Sequence, residues 1–400
     1  MKIVAKLALL GCLALTAAAA SRPAIADPVS ARLDALEREN AALRSRLNRL
    51  ETSKASRPQP HPAEATLAAP LAAPRPSDSM ASVRYIDAPR MNGPHFEISG
   101  TLSFLQPGYG NLEYGTLTNP LPPVTPHWNN QSLKPNFSPS FSVGARYMPN
   151  GIDDIQLNWT HLNNTATDSF FALPNEMAGP PYLIGPESGL YKNGAGSVRT
   201  RFDVVNLDAG HTFCVECSFQ MRAFGGVTVA RIGETLSGLF QSPQGAASSG
   251  YTLNSMFTGA GPRLGIKSQY GIGDFQFIGE VAAAALIGNS QGKIDFTTVS
   301  PAFGLSSQYL ASPDAVRVVP SIDARLATAY SFAPSAYGLF KVEAGYKAAV
   351  YFDAVNSYAV TQVPTSLTLP PIGIYLATQQ HVMSNFTNHG PYVSASWAFW

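Results

Sequence analysis

The chain has 400 residues, of which 13% are charged and 10% aromatic, with 33 Gly, 32 Pro and a formal net charge of +1. Cytosolic globular proteins average about 25% charged residues, so composition argues against that class. With no basic surplus to meet phosphates, it also argues against nucleic acid as a partner.

The N-terminus, "MKIVAKLALLGCLALTAAAASRPAIADP", places Lys2 and Lys6 before a short apolar stretch and ends in Ala24-Ile25-Ala26. A basic start, an apolar middle and small residues before a cut predict a signal peptide over 1–26, cleaved between Ala26 and Asp27. The chain is therefore expected to be exported. Beyond that leader no stretch reaches the roughly 18 apolar residues of a spanning helix, so none is predicted.

Residues 27–54 contain one helical pattern. Leu33, Leu36, Asn40, Leu43, Leu47 and Leu50 alternate three and four apart, the seam of a coiled coil. A buried amide at Asn40 would set register and oligomer state. Three heptads are too short for a lone helix, so the seam predicts self-association, with a trimer expected. An amphipathic helix lying on its own domain is the competing reading. Residues 55–93, "ASRPQPHPAEATLAAPLAAPRPSDSMASVRYIDAPR" and its flanks, are rich in Pro and Ala without periodicity and read as a semi-stiff linker.

From 94 to 400 the pattern has period two. In "GLFKVEAGYKAAVYFD", Val342, Ala344, Tyr346, Ala348, Val350 and Phe352 alternate with Lys341, Glu343 and Lys347. Similar runs lie at 96–104, 141–147, 155–161, 199–212, 219–229, 264–270, 275–287, 316–332 and the C-terminus; that at 199–212 changes face near Val204-Val205, suggesting a bulge. This predicts ten strands. Many reach the length that crosses a tilted bilayer. Short turns ("PNG", "CVEC", "GIG", "APSAYG") alternate with connections of about 25 to 35 residues, the pattern of an antiparallel outer-membrane β-barrel. Lipid cannot satisfy an open sheet edge, so the sheet must close. An extra hairpin within 107–138 or 354–388 would raise the strand number to twelve. The terminal "PYVSASWAFW" then offers Trp397, Phe399 and Trp400 to the inner membrane interface, with both termini periplasmic.

"FEISGTLSFLQPGYGNLEYG", "FSPSFSVGARYMPNGIDDIQLNWTHLNN" and "FTGAGPRLGIKSQYGIGDFQFIGEVAAAALIG" resemble the Legionella major outer membrane protein family. The resemblance implies a pore-forming outer-membrane barrel; the coiled-coil segment is no part of it.

Cys214 and Cys217 can be read as a redox pair, half a metal site or a disulfide across a hairpin turn. A redox pair would open a helix, and zinc would need two further ligands, so the disulfide is favoured, in an oxidising periplasm. His127, His381 and His389 fall in expected external loops, but no His/Asp spacing demands catalysis. No enzyme activity, metal or cofactor is predicted.

Strand parity directs Arg146, Arg201, Arg222, Arg263, Lys267, Arg317, Arg325, Lys341 and Lys347 into the lumen, with Glu97, Asp203, Glu280, Asp323 and Glu343. The balance is modestly cationic. Two functions fit: a narrow passive channel for small hydrophilic solutes, with mild anion preference, or a non-transporting surface protein with a periplasmic tether. Ten strands lie near the size at which side chains fill a barrel, so a plugged lumen is a real alternative. Outer-membrane lipid, lipopolysaccharide and small solutes or ions are the expected partners.

Overall fold

A computed structural model describes residues 94–119, 127–181, 191–216, 218–301, 304–335, 338–360 and 379–399. The signal peptide, the seam from Leu33 to Leu50, the linker, Trp400 and Cys217 (hence the expected Cys214–Cys217 bridge) lie outside the described residues.

Among the described residues thirteen strands form: β1 His95–Tyr109, β2 Glu113–Asn119, β3 His127–Ser132, β4 Ser138–Met148, β5 Asp153–Phe171, β6 Met177–Gly179, β7 Asn193–Glu216, β8 Phe219–Gln241, β9 Ser248–Ile272, β10 Phe275–Ser300, β11 Gly304–Ser335, β12 Gly338–Val360 and β13 Gln379–Phe399. Ten close a ring in the order β1-β13-β12-β11-β10-β9-β8-β7-β5-β4. Every neighbouring pair in it is antiparallel. The expected ten-strand barrel is present. A hairpin does form within 107–138, but β2 and β3 join β6 in a separate sheet instead of widening the wall.

The end of the barrel with short connections is held by local chemistry. Asn150 Oδ1 accepts from the amides of Ile152 (3.0 Å) and Asp153 (2.7 Å). Gly151 and Gly273 supply φ of 71° and 61° in two of these turns, a region where a side chain would be strained. This end is called inner below.

Above it runs an apolar belt on the outward face. Ile98, Leu102, Val143, Leu157, Leu207, Val227, Ile266, Val281, Ile322, Leu326 and Val393 are all exposed. An inner rim of rings borders it, with Phe96 on Tyr147 (4.6 Å), Trp397 on Phe399 (5.5 Å), Phe275 on Tyr330 (5.0 Å) and Phe332 on Phe340 (5.5 Å). Exposed apolar surface of this extent needs lipid to cover it, and aromatic rings favour the interface. Phe399, like Trp397, lies on the outward parity of β13.

On the outer side the belt ends at polar residues. His161 Nδ1 meets Asp203 Oδ1 at 2.7 Å, and Arg231 pairs in register with Asp203. From Phe213 to Asp203 is ten residues of β7. At about 3.3 Å per residue and a tilt of about 40° they rise roughly 25 Å, the height of an outer-membrane apolar band.

The strands do not stop there. β10 has 26 residues and β11 has 32, and both continue where sequence predicted a loop. β7 to β11 thus extend into a turret beyond the belt. Its interior is apolar: Val198, Leu236, Phe240, Leu253 and Ile294 are buried with Tyr114 of β2. A Cβ on Gly196 would collide with the Tyr114 ring, so that glycine makes room for β2 inside the mouth. Tyr251 Oη donates to the Tyr114 carbonyl at 2.9 Å, joining wall and inserted sheet.

Candidate functional site: a layered lumen

The enclosed volume is the place to look for function, because every described barrel strand lends it alternate side chains. Its inner half is ionic. Arg222 Nε donates to Asp154 Oδ2 at 2.7 Å, and its Nη2 to Oδ1 at 2.5 Å; Arg146 adds a bond to Asp154 at 2.8 Å. Arg263 joins Asp208 (2.5 Å) to Asp323 (3.0 Å), bridging β7, β9 and β11. Arg325 binds Glu280 at 2.6 Å and lies 3.6 Å from Glu343, which also accepts from Tyr392 Oη. Glu97 stands 3.7 Å from Arg146 and 3.9 Å from Lys341. Phe224 lies between the Arg222 and Arg263 guanidiniums, at 4.7 and 5.0 Å from its centroid. Among the described residues Lys267 and Lys347 have no carboxylate within ion-pair distance. Arg317 faces inward further out, its Nε without a hydrogen-bond partner.

Twelve of the residues assigned to the lumen from sequence thus share this enclosed face: Arg146, Arg222, Arg263, Lys267, Arg317, Arg325, Lys341, Lys347, Glu97, Glu280, Asp323 and Glu343. Arg201 and Asp203 do not. Phe202 and Val204 are the buried neighbours, at 4% and 5% exposure, which turns Arg201 and Asp203 outward. β7 pairs without interruption with β5 and through 204–205 with β8, so the expected bulge is absent. At this level lumen and lipid are both apolar, so Val204 and Val205 face opposite ways while reading alike. Sequence reasoning missed Asp154 and Asp208, both buried anions. Their even parity on β5 and β7 was the available signal. Counting them leaves the cationic excess smaller than the sequence implied.

Outward from the ionic half, the lumen becomes apolar. Leu105, Leu162, Ile232, Phe257, Leu286, Val319 and Phe386 are at most 1% exposed. The ring of Phe202 on β7 meets Tyr351 on β12 at 5.5 Å and Phe386 on β13 at 5.2 Å. In the ten-membered ring β7 and β12 stand five places apart in either direction. These side chains therefore come from opposite walls and touch.

Two cavities remain on the ionic side. One of about 160 Å³ is lined by Arg222, Arg263, Arg325, Lys347, Asp208 and Tyr351 among others. The second, of about 70 Å³, is lined by Glu97, Arg146, Lys267, Lys341, Ser394 and Ser396 among others.

Above the apolar layer, within the turret, Glu234 is 2% exposed, and neither carboxylate oxygen is hydrogen bonded. Burial pushes its pKa up to about 8, with Asn111 beside it pulling weakly the other way. The three histidines expected in external loops lie in strands instead, His127 in β3 and His381 and His389 in β13; His381 Nε2 meets Asn356 Oδ1 at 2.8 Å, and His389 Nδ1 meets Tyr346 Oη at 2.6 Å. Among the described residues no three His, Cys, Asp or Glu side chains gather as metal ligands.

The outer membrane protease OmpT of Escherichia coli aligns at 10% identity and a TM-score of 0.37, covering 76% of this chain and 96% of its own. The P. putida toluene transporter TodX aligns at 7% identity and 0.22, over 77% and 90%. A Pseudomonas aeruginosa FadL homologue aligns at 7% and 0.22, over 76% and 90%. Likenesses this remote carry no argument. No individually curated protein matches the chain. Residues 89–399, the whole described barrel, match the family of the Legionella pneumophila major outer membrane protein precursor, so the chain is a member of that family and a protein of the bacterial outer membrane.

Proposed function

We propose that this protein is an outer-membrane barrel closed to passive flow in its resting conformation, serving to display its turret at the cell surface. The observation that carries this is the contact of Phe202 with Tyr351 across the lumen, inside a layer of nearly inaccessible apolar residues. Water and ions avoid a constriction that is both narrow and apolar. Purified full-length protein in planar bilayers is expected to give no unitary conductance. The double variant Phe202→Ser/Tyr351→Ser is expected to give it. Steady single-channel steps from the unaltered protein would overturn the closed reading.

The narrow-channel reading has its own support: two cavities, each with room for several waters, bounded by Arg146, Arg222, Arg263, Arg325 and Lys347. In that reading the apolar layer is a gate, and small hydrophilic solutes pass when it opens. Fixed lumen cations would then favour chloride over potassium. Arg325→Glu/Lys341→Glu should reverse the sign of the reversal potential in a salt gradient. The proposal includes no catalysis, since His161–Asp203 and His211–Asp153 are outward-facing pairs at the belt edges. It also includes self-association through the 30–54 seam: removing residues 27–90 should leave a folded, monomeric barrel.

A further inference from the structure

The two side chains that sequence parity misplaced lead to a second surface. Arg201 and Arg199 project outward from β7, one and two outward positions beyond Asp203 at the belt edge. Lys293 projects from β10, past the same border, and Arg231 sits on it. Between them is a hollow of about 530 Å³, whose wall includes Arg199, Arg201, Asn254, Met256, Gln291 and Lys293. Two acids belong to that wall: Glu234, whose side chain is buried on the inward face, and Asp314; Asp295 and Asp203 border it. Asp295 holds Lys293 at 2.8 Å, Asp314 accepts from Gln291 Nε2 at 2.9 Å, and Asp203 holds His161. Among the described residues neither Arg199 nor Arg201 has a carboxylate within ion-pair distance. The basic hollow thus begins where the lipid-facing belt ends, at the height of the outer-leaflet headgroups.

We propose that this hollow binds a phosphate group of a glycolipid in the outer leaflet, with Arg199 and Arg201 as the principal ligands. Charge complementarity and continuity with the apolar belt select this occupant. Acyl chains would lie against Val205 and Val229, while the headgroup phosphate meets the arginines. Guanidinium donors fit phosphate oxygens in pairs, which a lysine ammonium cannot do. Asn254 and Gln291 offer amide donors to the sugar. The site depends on the outer wall alone, so it stands whether or not the lumen conducts.

The test uses the full chain in mild detergent, with bis-phosphorylated lipid A and its dephosphorylated form as probes, read by native mass spectrometry. Wild type is expected to retain the phosphorylated lipid. Arg199→Gln/Arg201→Gln should weaken retention about tenfold or more, corresponding to one lost charge-assisted contact. Arg199→Lys/Arg201→Lys should recover part of the loss, and Lys134→Gln, outside the hollow, should change nothing. Unchanged electrophoretic heat-modifiability would establish that the glutamine variant still folds. Equal retention by wild type and the glutamine variant overturns the site. Equal retention of the dephosphorylated lipid means apolar contact alone and also overturns it. Displacement of the lipid by millimolar inorganic phosphate would assign the arginines to the free ion instead.

Discussion

The inner half of the lumen and the layer above it fill the same barrel by different physics. In the inner half, Arg222, Arg263 and Arg325 each engage carboxylates from more than one strand or through more than one bond. In the layer above, Phe202, Phe257, Leu286 and Phe386 fill space without a polar atom. A paired charge is stabilising only while its partner remains, because the survivor is left desolvated. A packed ring loses its transfer energy and leaves a cavity, whatever its neighbour does. The ionic half should therefore be repairable by a second substitution, and the apolar layer should not.

That contrast orders the predictions. Phe257→Ala, at a position with 0% exposure, should cost about 4 kcal/mol in urea unfolding from lipid vesicles. Arg263→Leu should cost about 3 kcal/mol by stranding Asp208 and Asp323, and adding Asp208→Leu should return most of it. If that second change returns nothing, the inner half is not a pairing network.

The turret supplies a pH test. Glu234 faces Tyr109, Asn111, Thr200 and Ser255, and among the described residues no cation lies within ion-pair distance. Its carboxyl ionises near pH 4.5 when unfolded but holds its proton to about pH 8 when folded. Stability is therefore full below about pH 4.5, falls as pH rises through that interval, and levels off above it. Glu234→Gln should flatten this profile, with a gain of roughly 4 to 5 kcal/mol at pH 9 and none at pH 4. The smallest effect belongs to the belt edge. His161 and Asp203 are about one-third exposed, so His161→Ala should change stability by less than about 1 kcal/mol. A loss as large as that of Arg263→Leu would mean the edge pair organises the wall.

Ten strands were legible because lipid and an aqueous or ionic lumen demand opposite side chains on successive residues. Wherever that held, as from Lys341 to Lys347 or at Arg263 and Lys267, inward residues could be read directly. The reading failed where the contrast vanished or inverted. At Val204-Val205 both faces are apolar, so Arg201 and Asp203 were turned inward when they face out. Beyond Ala230 the phase reverses: Ile232, Glu234, Leu236 and Phe240 point inward while the outward face meets water. A strand that changes solvent changes its pattern, and the turret therefore read as loops.

What the sequence by itself determined is the class: alternating apolar residues, short turns on one side and terminal rings predict a closed outer-membrane barrel, because lipid tolerates no open sheet edge. Only the tertiary structure decided that Phe202 and Tyr351 meet across the lumen. Phe202 and Tyr351 lie 149 positions apart in the chain. No local pattern can state that two inward rings on opposite walls are long enough to meet. Their contact depends on the radius of the closed ring, a property of ten strands taken together.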